Sequence, residues 1–250
     1  MSRLDIPKLT YSKPPHPVDP PPWLAPEDDR FNIARYLPAR AADQPHAKAL
    51  IMPEEYNALG KRNYSHLTFS QLNRLTDAYA HALVKAGFQP GDRTLLMVKQ
   101  GLELIAITFA LFKIGCVPVL IDPGMGRKSF LSCIEDCKPN TMVGVKLAFV
   151  AKTLFGGSFK TVKRAACTES VWFANALNLS AAAEFDAGEF PTANTLREDL
   201  AAILFTSGST GPPKGVHYTH GIFDAQTKAI QAMYNIQPED VAVPGFPLFA

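Results

Sequence analysis

Ten consecutive positions concentrate the chemistry of this chain: Thr206-Ser207-Gly208-Ser209-Thr210-Gly211-Pro212-Pro213-Lys214-Gly215. Thr206, Ser207, Ser209 and Thr210 bring hydroxyl donors, and Lys214 brings a full positive charge. Gly208, Gly211 and Gly215 bring backbone without a Cβ, which tolerates positive φ and lets N–H groups close around a small anion. An ammonium is a compact point charge suited to polyphosphate. The set reads as a polyphosphate cradle, with Lys214 as the candidate catalytic cation and Thr206, Ser207, Gly208, Ser209, Thr210, Gly211, Lys214 and Gly215 as candidate phosphate-binding residues. The competing reading is a plain glycine–serine surface turn. Against it stands a lone lysine that follows a double proline between two strand-like runs.

The flanks decide which kind of cradle this is. A Walker loop needs Gly-Lys-Ser/Thr running straight into a helix. Here Pro213 precedes Lys214 and Gly215 follows it. Residues 200–205 form an apolar run, and 216–220 alternate apolar and polar residues of β-favouring types. The unit is therefore strand, loop, strand, then a helix over about 223–233. Pro212 and Pro213 remove two backbone donors from the loop's exit, so the phosphates must be held by the earlier N–H groups, the hydroxyls and Lys214.

The elements that must position this loop are legible upstream. A helix over 31–41 is expected to be kinked or shortened by Pro38. Residues 47–52 read as a strand. Thr68 and Gln71 form a capping box, and the helix behind it carries Phe69, Leu72, Leu75, Tyr79 and Leu83 at helical spacing before Gly87 stops it. A strand over 93–98, a helix over 102–113 ended by Gly115, and a continuously apolar strand over 117–121 follow. Asp122-Pro123-Gly124 is a turn. A helix over 128–137, a strand over 141–145, a helix over about 147–155 and a strand near 161 complete the pattern. Residues 167–197 read as a variable excursion with one short helix. Alternating strands and helices predict an α/β fold with a doubly wound parallel sheet and helices on both faces.

The loop resembles the signature of the adenylate-forming superfamily of acyl-CoA synthetases, luciferases and peptide-synthetase adenylation domains, and Val216 and His220 fit its continuation. The runs from Phe109 to Gly124 and from Leu204 to Gly211, and the closing Phe246-Pro247-Leu248-Phe249-Ala250, resemble the olefin-biosynthesis β-lactone synthetases within it. The resemblance spans about residues 31–250 and implies the N-terminal portion of such an enzyme's large domain, with the phosphate loop on an antiparallel strand pair. It further implies that the loop grips the β- and γ-phosphates of ATP while a carboxylate attacks the α-phosphorus, with Mg²⁺ as counter-ion. In the lactone synthetases a β-hydroxyl then attacks its own acyl-adenylate and expels AMP. Phe246, Pro247 and Phe249 are, by resemblance, the wall of an acyl pocket. The alternatives are a fatty-acyl-CoA or acyl-AMP ligase and, from another class, a non-catalytic nucleotide-binding module. Superfamily members continue with a Tyr-Gly-x-Thr-Glu segment, a ribose-binding aspartate and a late catalytic lysine. Stopping at Ala250, the chain is expected to need those C-terminal parts as its partner and to be inactive by itself.

Composition narrows the remaining options. A net charge of +2 gives no electrostatic case for nucleic acid or an anionic membrane. The longest apolar run, 104–112, is far short of the roughly twenty residues that span a bilayer. Residues 1–26 hold eight of the 21 prolines, so 1–30 read as an extended proline-rich leader ahead of an incomplete adenylation domain over 31–250. With no signal peptide in view, a cytoplasmic location is expected. Cys116, Cys133, Cys137 and Cys167 lack zinc spacing and read as buried thiols. His217 and His220 are assigned no chemical role.

Overall fold

The computed structural model describes residues 29–56, 59–170, 176–183, 187–206 and 213–243. The proline-rich leader falls almost wholly outside these residues.

The chain enters through a short 3₁₀ turn, Ile33–Arg35, capped by the Asn32 side chain. It continues into α1 (Tyr36–Asp43). The helix expected over 31–41 starts only at Tyr36, so it is shortened at its front, and Pro38 falls in its first turn, where a missing N–H costs nothing. Strand β1 (Lys48–Tyr56) pairs antiparallel with β2 (Arg62–Thr68) in a separate two-stranded sheet. Then come α2 (Phe69–Lys85), β3 (Arg93–Met97), α3 (Leu102–Ile114), β4 (Val117–Ile121), α4 (Arg127–Cys137), β5 (Thr141–Gly144) and α5 (Lys146–Leu154). The strand expected near 161 lies slightly later, as β6 (Arg164–Cys167), because residues 155–161 turn around Gly156 and Gly157. The excursion holds β7 (Leu177–Asn178) and α6 (Leu179–Ala182). Strands β8 (Leu200–Thr206) and β9 (Lys214–Thr219) precede α7 (His220–Tyr234).

The main sheet has seven strands in the order β7-β6-β5-β3-β4-β8-β9. All neighbours are parallel except β8 and β9, which are antiparallel. The parallel sheet is as expected, and so is the antiparallel pair at its edge, because the short connection between β8 and β9 permits only a hairpin return.

Both faces of the sheet are covered, as alternating side chains require. Leu96, Val143 and Ala166 pack with Leu72, Tyr79 and Leu83 of α2 and Ile107 and Leu111 of α3. Their strand neighbours Leu95, Met142 and Cys167 pack with Cys133 and Ile134 of α4 and Phe149 of α5. A third cluster joins Phe31 and Ile33 to Phe112 of α3 and Ala202 of β8. Helix α3 is apolar all round because it meets two of these clusters at once.

Candidate functional site

Strand β8 is the rigid half of the candidate site. It lies between β4 and β9, and four of its seven residues are buried. Strand β9 pairs with β8 in the register Thr206↔Lys214, Phe205↔Gly215 and Leu204↔Val216. Thr206 and Lys214 therefore face each other across the hairpin, and residues 207–213 span the gap between them. Ser207, Gly208, Ser209, Thr210 and Gly211 lie outside the described residues, as do Phe246, Pro247 and Phe249.

Three of the sequence-predicted residues are on view. Thr206 and Lys214 are exposed at the carboxyl end of β8 and the start of β9. Among the described residues Lys214 has no ion-pair partner. Gly215 serves packing instead of unusual backbone angles. A Cβ there would come within 3.1 Å of Cζ of Phe205 and 3.3 Å of Cγ2 of Ile203, so glycine lets these side chains lie flat beneath the loop's exit.

The helix after β9 is fastened at its first two turns. Thr219 caps α7 by accepting the Ile222 N–H. His220 is 1% exposed, and its Nδ1 accepts the Ile33 backbone N–H at 3.2 Å. Asp224, also 1% exposed, accepts from the Tyr36 hydroxyl at 2.5 Å, from Arg197, and from Lys228 at 3.2 Å. Burial pushes its carboxyl up, but these three donors outweigh it and hold the group below the usual carboxylate range. Arg197 also lies over the Phe31 ring at 4.9 Å. Asp224 went unread in the sequence. Its spacing of four from Lys228 was the available signal, and its distant partners Tyr36 and Arg197 left none.

Other candidates resolve simply. Asp122 is a turn residue whose Oδ1 accepts the Gly124 N–H at 2.7 Å. All four cysteines are free and buried. Burial pushes the Cys116 and Cys137 thiols up to about 12, which makes both poor nucleophiles. Among the described residues no three His, Cys, Asp or Glu side chains gather to hold a metal, and no helix is long and apolar enough to cross a membrane. Magnesium thus has no protein cage among these residues.

The family model described as AMP-binding enzyme matches residues 37–250. Two curated relatives are each 36% identical over 88% of this chain: the olefin beta-lactone synthetases of Xanthomonas campestris pv. campestris and of Stenotrophomonas maltophilia. The chain spans 40% of the length of each. The solved structure of a long-chain-fatty-acid-CoA ligase from Archaeoglobus fulgidus superposes with a TM-score of 0.72 at 19% identity, covering 88% of this chain and 42% of its own. That likeness establishes the shared fold.

Proposed function

Because the chain belongs to the AMP-binding enzyme family, we propose that it carries the phosphate-gripping part of a site that activates a carboxylic acid with ATP. The observation that carries this reading is the hairpin itself. Its register sets the exposed Thr206 opposite the exposed Lys214, which has no ion-pair partner among the described residues, at the carboxyl edge of the sheet where ligands of open α/β folds lie. Ser207, Gly208, Ser209, Thr210 and Gly211, between the two in sequence, supply the hydroxyl and backbone donors this reading calls for.

The reaction asks little covalent chemistry of the protein. A carboxylate oxygen bonds to the α-phosphorus, and the bond from that phosphorus to pyrophosphate breaks. The leaving group gathers negative charge, and a fixed ammonium with backbone and hydroxyl donors is what stabilises it. Lys214 holds the phosphates, and Thr206 orients them. Magnesium, when bound with the nucleotide, offsets further phosphate charge.

The acid is a long-chain β-hydroxy acid, and the product is a β-lactone. The two relatives at 36% identity, both named olefin beta-lactone synthetases, support this choice. In the second step the substrate's own hydroxyl oxygen bonds to the acyl carbon, AMP leaves and the hydroxyl proton is released. The test incubates the full-length enzyme with ATP and a β-hydroxy acid. Lactone, AMP and pyrophosphate formed without CoA support the reading, whereas a product formed only with CoA replaces it with a thioester ligase. Lys214→Ala is expected to slow acid-dependent pyrophosphate release by on the order of a hundredfold or more while acid binding changes little. An unchanged rate removes Lys214 from the phosphates.

A further inference from the structure

Helix α5 turns the wrong kind of face to solvent. Its inward side chains, Ala148 and Phe149, are buried. The opposite face of a surface helix is ordinarily polar. Here Leu147, Val150 and Leu154 stand on it, 72%, 41% and 70% exposed. At ~100° per residue these three fall within about 60° of arc, so they form one apolar stripe along the helix. Apolar residues scattered singly over a surface are ordinary, whereas a continuous stripe marks a surface that something covers.

The charges around the stripe select the cover. Between positions 127 and 163 the chain carries seven Lys and Arg against only Glu135 and Asp136. That balance is +5 in a chain whose total is +2, so the modest net charge conceals a strongly basic region and a slightly acidic remainder. Six of the seven are exposed. Among the described residues none of the seven has a salt-bridge partner. Lys146 begins α5, and Lys160 and Lys163 follow in the turn after it. Arg127 of α4 lays its guanidinium over the Phe155 ring, at the other end of α5, at 5.7 Å. Two carboxylates enter the region, and both are engaged. Glu135 accepts the Ser158 hydroxyl at 2.6 Å, and Glu169 accepts the Lys146 backbone N–H at 3.3 Å.

Aliphatic side chains ringed by lysines fit an anionic bilayer. It offers lipid phosphates to the ammonium groups and hydrocarbon to the stripe. A nucleic acid would use the charge and leave three aliphatic side chains in water, and an apolar protein face would use the stripe and ignore the charge. We propose that α5 and the turn after it dock the enzyme on an anionic membrane surface. Leu147, Val150 and Leu154 then enter the boundary between headgroups and acyl chains, and the lysines sit on lipid phosphates. The helix is already held by the sheet beneath it, so docking incurs little ordering cost. The proposal stands apart from acid activation. Where both hold, a long-chain acid dissolved in the bilayer reaches the enzyme from the surface on which it sits.

The test mixes the full-length enzyme with vesicles of phosphatidylcholine, alone or with one quarter phosphatidylglycerol, and measures bound protein by flotation. Affinity is expected to be at least tenfold higher for the anionic vesicles. Raising salt from about 0.1 to about 1 M shortens the screening length from about 10 to about 3 Å and should release the protein. Leu154→Glu is expected to lower vesicle affinity tenfold or more with Tm unchanged, because that side chain already faces water. The pair Lys160→Glu with Lys163→Glu should lower it by a similar factor and leaves the stripe intact. A wild type that binds neither vesicle overturns the proposal, and so does equal binding by wild type and both variants. Sedimentation of the same proteins without lipid reads the remaining alternative. If the wild type is a dimer that Leu154→Glu splits, the stripe belongs to a second copy of the chain and membrane docking falls.

Discussion

His220 shows how a buried histidine can tie the loop's outgoing strand to the rest of the molecule. Its Nδ1 accepts the Ile33 N–H, so the ring must be neutral with the proton on Nε2. Burial drives its pKa down to about 4, although Asp199 pulls the other way. The folded value lies below the unfolded value of ~6.5. The unfolded chain therefore binds the extra proton between those limits, and stability rises with pH across the window. The contribution is complete above pH ~6.5 and is lost as pH falls toward 4, to a total on the order of 3 kcal/mol. Urea unfolding at pH 7 and pH 5 is expected to show the wild type losing stability at the lower pH. In His220→Asn, whose Oδ1 can still accept the Ile33 N–H, much of that dependence should vanish. An equal loss in both proteins assigns the effect to other groups. The sequence displayed His220 only as one of two histidines beside a strand, because burial and a partner 187 residues away leave no local trace.

At the scale of elements, helices α2 and α3 are joined by a charge pair that water barely reaches. Lys113 is 1% exposed and meets Asp77 at 2.5 Å and the Asn73 side-chain oxygen at 2.8 Å. Burial lowers its pKa, and Asp77 offsets part of that shift. Removing one partner leaves an uncompensated buried charge, which costs more than the pair contributes. Lys113→Ala is expected to destabilise the protein by about 3–5 kcal/mol in denaturant titrations. The double change Lys113→Met with Asp77→Leu should recover most of it. If the double variant is as unstable as the single one, the loss comes from packing and not from the stranded carboxylate. The helices themselves were legible, because their ends carry local signals: the reciprocal Thr68–Gln71 box and Gly115 at φ +83°. Strand β2 was not, because most of its residues are exposed on both faces and it shows no alternation. The pairing of Lys113 with a residue 36 positions earlier was equally hidden. Strand order was hidden as well, since no single segment encodes it. The reading proposed for the loop is the reverse case, since it rests wholly on local residue types.

For the whole molecule, stability is graded from the sheet's centre outward, and that gradient decides where a nucleotide would be felt. Strands β3 and β4 sit inside the sheet with helices over both faces. The β1–β2 hairpin is a separate two-stranded sheet, exposed along most of its length, and touches the core through Ala49, Leu50 and Leu67. Such hairpins are marginal alone. Strand β8 is held on both sides, whereas β9 pairs only with β8 and its first four residues are exposed. Amide exchange should therefore be slowest in β3, β4 and β8, faster in β9, and fastest in the hairpin. A ligand that binds only the folded form slows exchange through every opening that breaks its site, global unfolding included, and leaves untouched the amides that open without disturbing it. On adding ATP, the amides of Lys214–Thr219 are expected to slow by tenfold or more at saturation, while those of the separate β1–β2 hairpin, which opens without disturbing the loop, stay unchanged. No added protection in β9, with slowing elsewhere, would place the triphosphate away from the hairpin and remove the basis for assigning it to Lys214.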